Sequence, residues 1–353
     1  MGDSWAGPVS LGPGKGFLPR VGPNGELYVA YWDFAYGVLL RRSFNGGQTF
    51  GPPITIATRM DSWDPFVDCL QIPGLFRVLP LNYLAVDQNN GTLYCVYFDT
   101  TNVVGGNSNV DLYFTKSTTQ GLFWTTPVVI NGDANPPGDQ FFPWIEVDAD
   151  SNLHMVFLDS RHTVQDDDAI HGMFDAYYSF SNDGGATWQE FRLTSTSFDS
   201  YNDGLHHVGD AQFLGDYLGL GRGRDRVYPC YLATSPSGQN GDSNIYTHVV
   251  TILGGCCLAD SCSLVSRDSC ASQGGTFLGA GKICSSRDCN ENGLPDECDA
   301  GGACCLSGIA NDCIMTPTSA CCDAANGLFW YGLNSTCATT DCSEGPMRPQ
   351  QGP

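Results

Sequence analysis

The sequence predicts an all-β protein of repeated four-stranded antiparallel sheets followed by a small region held by disulfides. Three observations carry this. A turn of the form Ser-x-Asp-x-Gly-x-Thr-Trp recurs with varying fidelity, and alternating apolar strands joined by Asn-Gly-type bends lie between its copies. Fourteen of the seventeen cysteines crowd between Cys256 and Cys342, in the last third of the chain.

The turn is clearest at Ser181 to Trp188, SNDGGATW, after the alternating run Phe174 to Phe180. Its Ser and Asp can bond the local backbone, a Gly is free to take positive φ, and the aromatic can plug back into a core. Ser43 to Phe50 (SFNGGQTF) and Ser117 to Trp124 (STTQGLFW) keep the outline with Asn or Thr in the Asp place. Each of these two precedes a Pro-Val/Ile-x-Ile segment, at Pro53 to Ile56 and Pro127 to Ile130. Gly2 to Trp5, ahead of Pro8-Val9, reads as the back half of a fourth copy. Recurrence of one unit is the mark of a repeat architecture.

Between turns the chain repeats an apolar strand, a tight bend and a strand ending in aromatic-x-Asp or a close variant. The first unit has the bend Pro23-Asn24-Gly25 and the strand Leu27 to Asp33; the second has Tyr83 to Asp87, Asn89-Asn90-Gly91 and Leu93 to Asp99. The third runs Trp144 to Val147, a bend over Ala149 to Asn152, and Leu153 to Asp159. The fourth uses Asp216 to Leu220, Val227 to Thr234 and Ile245 to Val250. Alternation with such bends predicts hairpins, four strands to a unit, and the regular turn spacing favours a β-propeller over a β-sandwich.

These turns resemble the Asp-box, or bacterial neuraminidase repeat, of sialidase-like β-propellers, over roughly Gly2 to Ile252. The resemblance implies blades around an axis, usually six. About four are recognisable here, so the expectation is a propeller incomplete at its N-terminus, over residues 1–253. If the turn joins the third strand of a blade to the fourth, it shares a face with the first-to-second bends. The long connections, among them 57–82, 131–143, 160–172 and 194–215, then gather on the opposite rim, where binding or chemistry is expected.

That rim is rich in aromatics and carboxylates, the usual means of holding a sugar. Trp63, Trp144, Tyr201 and Arg161 are the candidate substrate-binding residues. If the chain is catalytic, Arg161, Asp64 and Tyr201 are the candidates, because the sialidase resemblance implies arginines that grip a substrate carboxylate, an Asp acid and a Tyr nucleophile. Tyr217 is equivalent to Tyr201 by type. The family's Arg-Ile-Pro element is absent; Phe17-Leu18-Pro19-Arg20 has similar letters in the wrong order. Arg161 could equally be an ordinary salt bridge, the pair His206-His207 lacks a spaced third metal ligand, and Asp166 to Asp168 could be no more than a solvated loop.

The net charge of −22 argues against nucleic acid, and no apolar stretch is long enough to span a membrane. The cysteine density implies an oxidising, extracellular compartment, although Met1 to Leu11 has no export signal. Together with the half-turn at the start, this leads to the expectation that the chain is the C-terminal part of a longer secreted protein.

Residues 254–353 form the second predicted domain, a duplication in which GGCC at Gly254 and GACC at Gly302 open parallel segments. Cys262 aligns with Cys313, Cys270 with Cys321 or Cys322, and Cys284 with Cys337. Zinc is the rival to disulfides, but neither unit contains His or paired Cys-x-x-Cys. Between them, residues 288–299 place oxygen side chains at every second position and then Gly, as in a calcium loop. The predicted Ca2+ ligands are Asp288, Asn290, Asn292, the Leu294 carbonyl, Asp296 and Asp299. This loop resembles those of thrombospondin type-3 and dockerin modules. The functional expectation is a secreted protein that binds glycans or a cell-surface or extracellular partner through its long-loop rim. The alternatives are an exo-sialidase-type glycoside hydrolase and a structural component of an extracellular assembly.

Overall fold

The computed structural model describes residues 7–33, 37–58, 72, 75, 78–79, 81–104, 107–133, 138–162, 172–200, 214–234, 243–259, 261–286, 288–289, 293–299, 301–306, 313–317, 321–322, 325–326, 328–330 and 337. The chain divides into two compact units, Met1–Val250 and Thr251–Pro353.

Among the described residues, the first unit is a β-propeller portion of four blades, each an antiparallel sheet whose strands follow in sequence order. Blade one is β1 (Lys15–Val21), β2 (Leu27–Asp33), β3 (Gly37–Ser43) and β4 (Ile54–Ala57). Blade two is β5 (Asn82–Val86), β6 (Leu93–Val104), β7 (Asn107–Ser117) and β8 (Val128–Val129). Blade three is β9 (Gln140–Val147), β10 (Leu153–Asp159), β11 (Met173–Ser181) and β12 (Gln189–Arg192), with β13 (Phe198–Asp199) also on β11. Blade four is β14 (Gly219–Arg222), β15 (Arg226–Thr234) and β16 (Ser243–Thr247), with β17 (Val250–Thr251) also on β15. The first strands are neighbours in the order β1, β5, β9, β14, so the blades stand face to face around one axis. Between blades one and two the core is Tyr28, Ala30, Leu40, Leu84, Leu93, Cys95 and Tyr97.

The three described hairpin turns share one geometry despite their different letters. The leading Ser Oγ accepts from the Gly backbone N–H four residues on, in Ser43–Gly47 (2.9 Å), Ser117–Gly121 (3.0 Å) and Ser181–Gly185 (2.9 Å). The third residue supplies an oxygen to the N–H four beyond it: Asn45 to Thr49 (3.0 Å), Thr119 to Phe123 (2.9 Å) and Asp183 to Thr187 (3.0 Å). Asn and Thr can stand in because the turn needs an acceptor there, with or without charge. At Asp183 the Thr187 hydroxyl and backbone bonds outweigh the slight burial and hold the carboxyl down at about 2.

These turns share a face with the first-to-second bends. Gln120 reaches Glu26 in the bend of blade one, and Asn89 donates to Ala149 O in the bend of blade three. Beside the latter bend, Asp148, His154 and Tyr178 form a buried chain, with His154 Nε2 3.1 Å from Asp148 Oδ2 and Nδ1 2.8 Å from the Tyr178 hydroxyl.

The second unit repeats itself. Strands β18 (Leu253–Cys257), β19 (Cys262–Ser266) and β20 (Thr276–Phe277) form a sheet of order β19-β18-β20. Strands β21 (Gly302–Cys305), β22 (Cys313–Thr316) and β23 (Phe329–Trp330) repeat that order as β22-β21-β23. A short helix, α1 (Arg267–Ser272), is capped by Ser266 in the first copy. Cys256–Cys270 corresponds to Cys304–Cys322, and Cys262–Cys284 to Cys313–Cys337, which makes Cys322 the counterpart of Cys270. Cys289 and Cys298 do not pair with each other: Cys298 bonds Cys257 in the first copy and Cys289 bonds Cys321 in the second. The intervening loop is therefore tied to both copies. Among the described residues, no helix is long and apolar enough to cross a membrane.

Candidate functional site at the propeller axis

The inner strands bring together side chains that are far apart in sequence. Arg20 on β1 places its guanidinium carbon 5.8 Å from the centre of the Trp144 ring on β9 and donates to Glu146 at 3.4 Å. Trp144 Nε1 also donates to Glu146, at 3.1 Å. From β5, the Tyr83 ring lies 5.5 Å from Trp144. Trp144 is thus held from three sides, by a cation, a carboxylate and an aromatic ring.

The inner strands also carry buried polar groups with no hydrogen-bond partner, of which the Tyr83 hydroxyl is the one beside Trp144. Asn82 and Gln140 open the adjacent inner strands β5 and β9 and are 2% and 0% exposed. Both polar atoms of each side chain lack a hydrogen bond, as does the Tyr83 hydroxyl. Burial raises the Tyr83 phenol well above its usual range, and the nearby Asp216 and Tyr217, which lead into β14, add to the rise. An unmade hydrogen bond on a buried group costs about 1–3 kcal/mol, so each of these three residues is a place for a bound water or a ligand group.

A bulge shapes the start of β9. Leu158 faces Phe141 and Val156 faces Trp144, so Phe142 and Pro143 together oppose Phe157 alone. Phe142 takes a left-handed φ of 51° while fully buried against Phe98 and Phe141. Bulges of this kind re-aim side chains, and a non-glycine residue in this region stores about 1–3 kcal/mol of strain. Here the bulge divides Gln140 and Phe141 from Trp144 and Glu146.

Farther out, Gln140, Asp159 and Asp175 stand in one row across β9, β10 and β11. Paired residues across antiparallel strands share a face. Asp159 accepts from the Arg161 backbone at 2.7 Å and from Nε at 2.8 Å, while Arg161 Nη1 donates to Glu190 at 2.8 Å. The same guanidinium sits 4.5 Å over the Tyr177 ring. Burial pushes the Asp159 carboxyl up to about 6 against the pull of Arg161. Arg192 is similarly occupied by Asp175, at 2.8 Å.

Of the residues singled out from the sequence, Trp144 is at the axis and Arg161 buckles the end of β10 to β12. Tyr217 is exposed beside the axial cluster. Trp63, Asp64 and Tyr201 lie outside the described residues, as do His206, His207 and Asp166 to Asp168. Sequence reasoning did not find Asn82, Tyr83 and Gln140; the only available signal was a polar residue opening an inner strand after a long loop.

In the second unit, Asp288 Oδ2 accepts from Gly293 N at 2.7 Å and Asp296 Oδ1 from Cys289 N at 2.8 Å, which folds the calcium-type segment on itself. Asp288, the Leu294 carbonyl, Asp296 and Asp299 are described, while Asn290 and Asn292 lie outside the described residues. These are oxygen donors, as a hard cation requires.

No protein-family model matches the chain, and no curated protein does. Solved structures similar to it include the Hadza microbial sialidase Hz136, at 18% identity over 65% of this chain and 43% of that one, with a TM-score of 0.40. An α-L-arabinanase from Penicillium chrysogenum complexed with arabinobiose aligns at 14% identity over 66% and 61%, with a TM-score of 0.38. An ulvan lyase of polysaccharide lyase family PL25 aligns at 10% identity over 79% and 68%, with a TM-score of 0.40. The chain spans less than two thirds of the sialidase and of the arabinanase, and at these identities the likeness is one of fold.

Proposed function

We propose that this is an extracellular carbohydrate-binding propeller whose ligand enters at the inner-strand mouth formed by β5, β9 and the approach to β14. The observation that carries this reading is the Trp144 ring among the inner strands, flanked by Arg20, Glu146 and Tyr83, whose buried hydroxyl has no hydrogen-bond partner. Sugars match such a surface because a ring's C–H face packs on an aromatic while its hydroxyls both donate and accept. Arg161 holds the rim in shape through Asp159 and Glu190. The disulfide-bonded second unit, with calcium in the 288–299 loop, acts as a stiff spacer or anchor. The six described disulfides are typical of the extracellular compartment.

The test is a glycan array probed with the full chain, followed by calorimetry on the best-retained oligosaccharide and its repeat with Trp144→Ala. Retention lost in the variant supports the reading; an array without specific retention rejects it. Turnover of a fluorogenic sialoside that disappears in Arg161→Ala would instead establish the hydrolase alternative.

A further inference from the structure

Resting on the extracellular part of the proposed function, we infer that two copies of this chain meet face to face through the open sheet of blade four and are joined there by a disulfide between their Cys230 thiols. In each blade the second strand carries a buried aromatic at the same place, Tyr31, Tyr97, Phe157 and Tyr231, and the residues on either side of it point to the other face of the sheet. Counted from that ring, Ala30, Val96, Val156 and Cys230 correspond, as do Trp32, Phe98, Leu158 and Leu232, and likewise Tyr28, Tyr94, His154 and Tyr228. In blades one to three these residues are 4% exposed or less, because the next blade packs on them. On blade four Tyr228 is 38% exposed, and Cys230 and Leu232 are only half-buried. The third strands repeat the contrast. Val38, Leu112 and Ala176, opposite Trp32, Phe98 and Leu158, are 0% exposed, whereas Ile245, opposite Leu232, is 68% exposed. Blade four thus shows to solvent the kind of face that the other three hide against a neighbour.

The thiol at the centre of this face identifies what covers it. Seventeen cysteines cannot all pair within one chain, and fourteen belong to the second unit, which leaves Cys69, Cys95 and Cys230. Cys69 lies outside the described residues, Cys95 is fully buried in the core between blades one and two, and Cys230 is a free, half-buried thiol. In an oxidising compartment a leftover thiol points to a bond with another molecule, and a second copy offers the same thiol on the same face about a two-fold axis. A disulfide needs Cα atoms within about 7 Å, closer than the roughly 10 Å of ordinary sheet packing. That approach is open here, because Tyr228 and Cys230 pair on β14 with Gly221 and Gly219, which raise no side chains beside them. Charge does not oppose it either: residues 214–234 and 243–250 hold Arg222, Arg224 and Arg226 against Asp216 and Asp225, although the whole chain carries −22. The bond forms by exchange with a small-molecule disulfide, which is reduced to two thiols that leave with the two Cys230 protons while the Cys230 sulfurs are oxidised and joined.

Three strands by about five residues give a footprint of roughly 14 by 16 Å, far below the about 800 Å² per partner of a stable interface, so contact alone is weak and the bond secures it. The test incubates the full chain, isolated without reductant, in a buffer of oxidised and reduced glutathione and follows it by sedimentation velocity, non-reducing electrophoresis and peptide mapping. The expected product is a dimer that yields a Cys230–Cys230 linked peptide, with Cys230→Ser remaining monomeric. Ile245→Asp keeps the thiol and, at so exposed a position, the fold, but brings two carboxylates into the contact; it should slow dimer formation roughly tenfold or more. Equal rates in the parent and Ile245→Asp would show a thiol reacting without the face and overturn the inference. A Cys230–Cys69 bond within one chain, or a lasting monomer whose Cys230 stays reduced, overturns it too. If the second unit's disulfides are intact in that monomer, the extracellular reading stands; if its cysteines are recovered as thiols, that reading falls as well.

Discussion

Substituting alanine for the fifth residue of each hairpin turn measures how far the turns act as plugs between blades. Gly47, Gly121 and Gly185 have nearly the same backbone, with φ of 82°, 78° and 85°, so an alanine meets nearly the same left-handed strain at all three. Their surroundings differ. A Cβ on Gly185 would lie 2.3 Å from Phe114 Cζ, and one on Gly121 would lie 2.2 Å from Leu40 Cδ2, in each case against the preceding blade. On Gly47 the nearest atom would be Leu27 Cδ2, at 3.3 Å within its own blade. Phe114 cannot step aside easily, since it stacks on Tyr94 at 5.9 Å and meets the edge of Trp188 at 5.5 Å.

Left-handed strain on alanine costs about 1–2 kcal/mol, and forcing a methyl into a packed core adds about 1–3 kcal/mol. Gly47→Ala should therefore lose about 1–2 kcal/mol, and Gly121→Ala and Gly185→Ala about 2–5 kcal/mol. Gly46→Ala, with φ of 69° and nothing within 4 Å, is the control for strain alone. Equilibrium urea unfolding followed by tryptophan fluorescence supplies the differences. Equal losses at Gly47 and Gly185 would show that the turns do not seal the blade interface, and the reasoning that orders the blades by these turns would fail.

Other consequences can be measured in the same protein. Asp159 should titrate near 6 by NMR, and Arg161→Ala should move it higher by removing the groups that favour its charge. Because its folded value lies above the ordinary 3.8, the native state binds the proton more tightly, so this group's contribution to stability falls as pH rises from about 4 to about 6; Asp159→Asn should flatten that slope. His154→Leu should cost roughly 2–5 kcal/mol in chemical unfolding, since it strands Asp148 and Tyr178 in the interior. Opening Cys257–Cys298 with a double serine variant removes a link across 41 residues and should destabilise the second unit by about 4 kcal/mol; peptide mapping of the parent should recover that bridge. Calcium should raise the melting temperature of the full chain and chelation lower it, and Asp288→Ala should abolish the difference; an unchanged melting temperature in calcium would remove the 288–299 loop from consideration as a metal site.

Whatever depends on near neighbours in the chain was legible in the sequence. The turns could be read through degenerate copies because the hairpin needs an oxygen at its third position, and Asn45, Thr119 and Asp183 all provide one. The strand Leu153–Asp159 was equally plain, a short apolar run set between a tight bend and a closing Asp. Its partner was less so: the reading began at Trp144, whereas β9 starts at Gln140, because Pro143 and the left-handed Phe142 interrupt the alternation. The correspondence of cysteines between the two copies was legible but their pairing was not, because spacing leaves connectivity open and Cys289 and Cys298 bond to opposite copies. The axial cluster was the least visible part, and the reason is physical. Arg20, Tyr83 and Trp144 each look like ordinary members of amphipathic strands, and only the packing of β1, β5 and β9 about one axis makes them neighbours. Likewise, an Asn or Gln opening a strand after a long loop would ordinarily be solvated. The burial of Asn82 and Gln140 is imposed by the surrounding blades, which shut off the solvent that an amide at such a position would ordinarily meet.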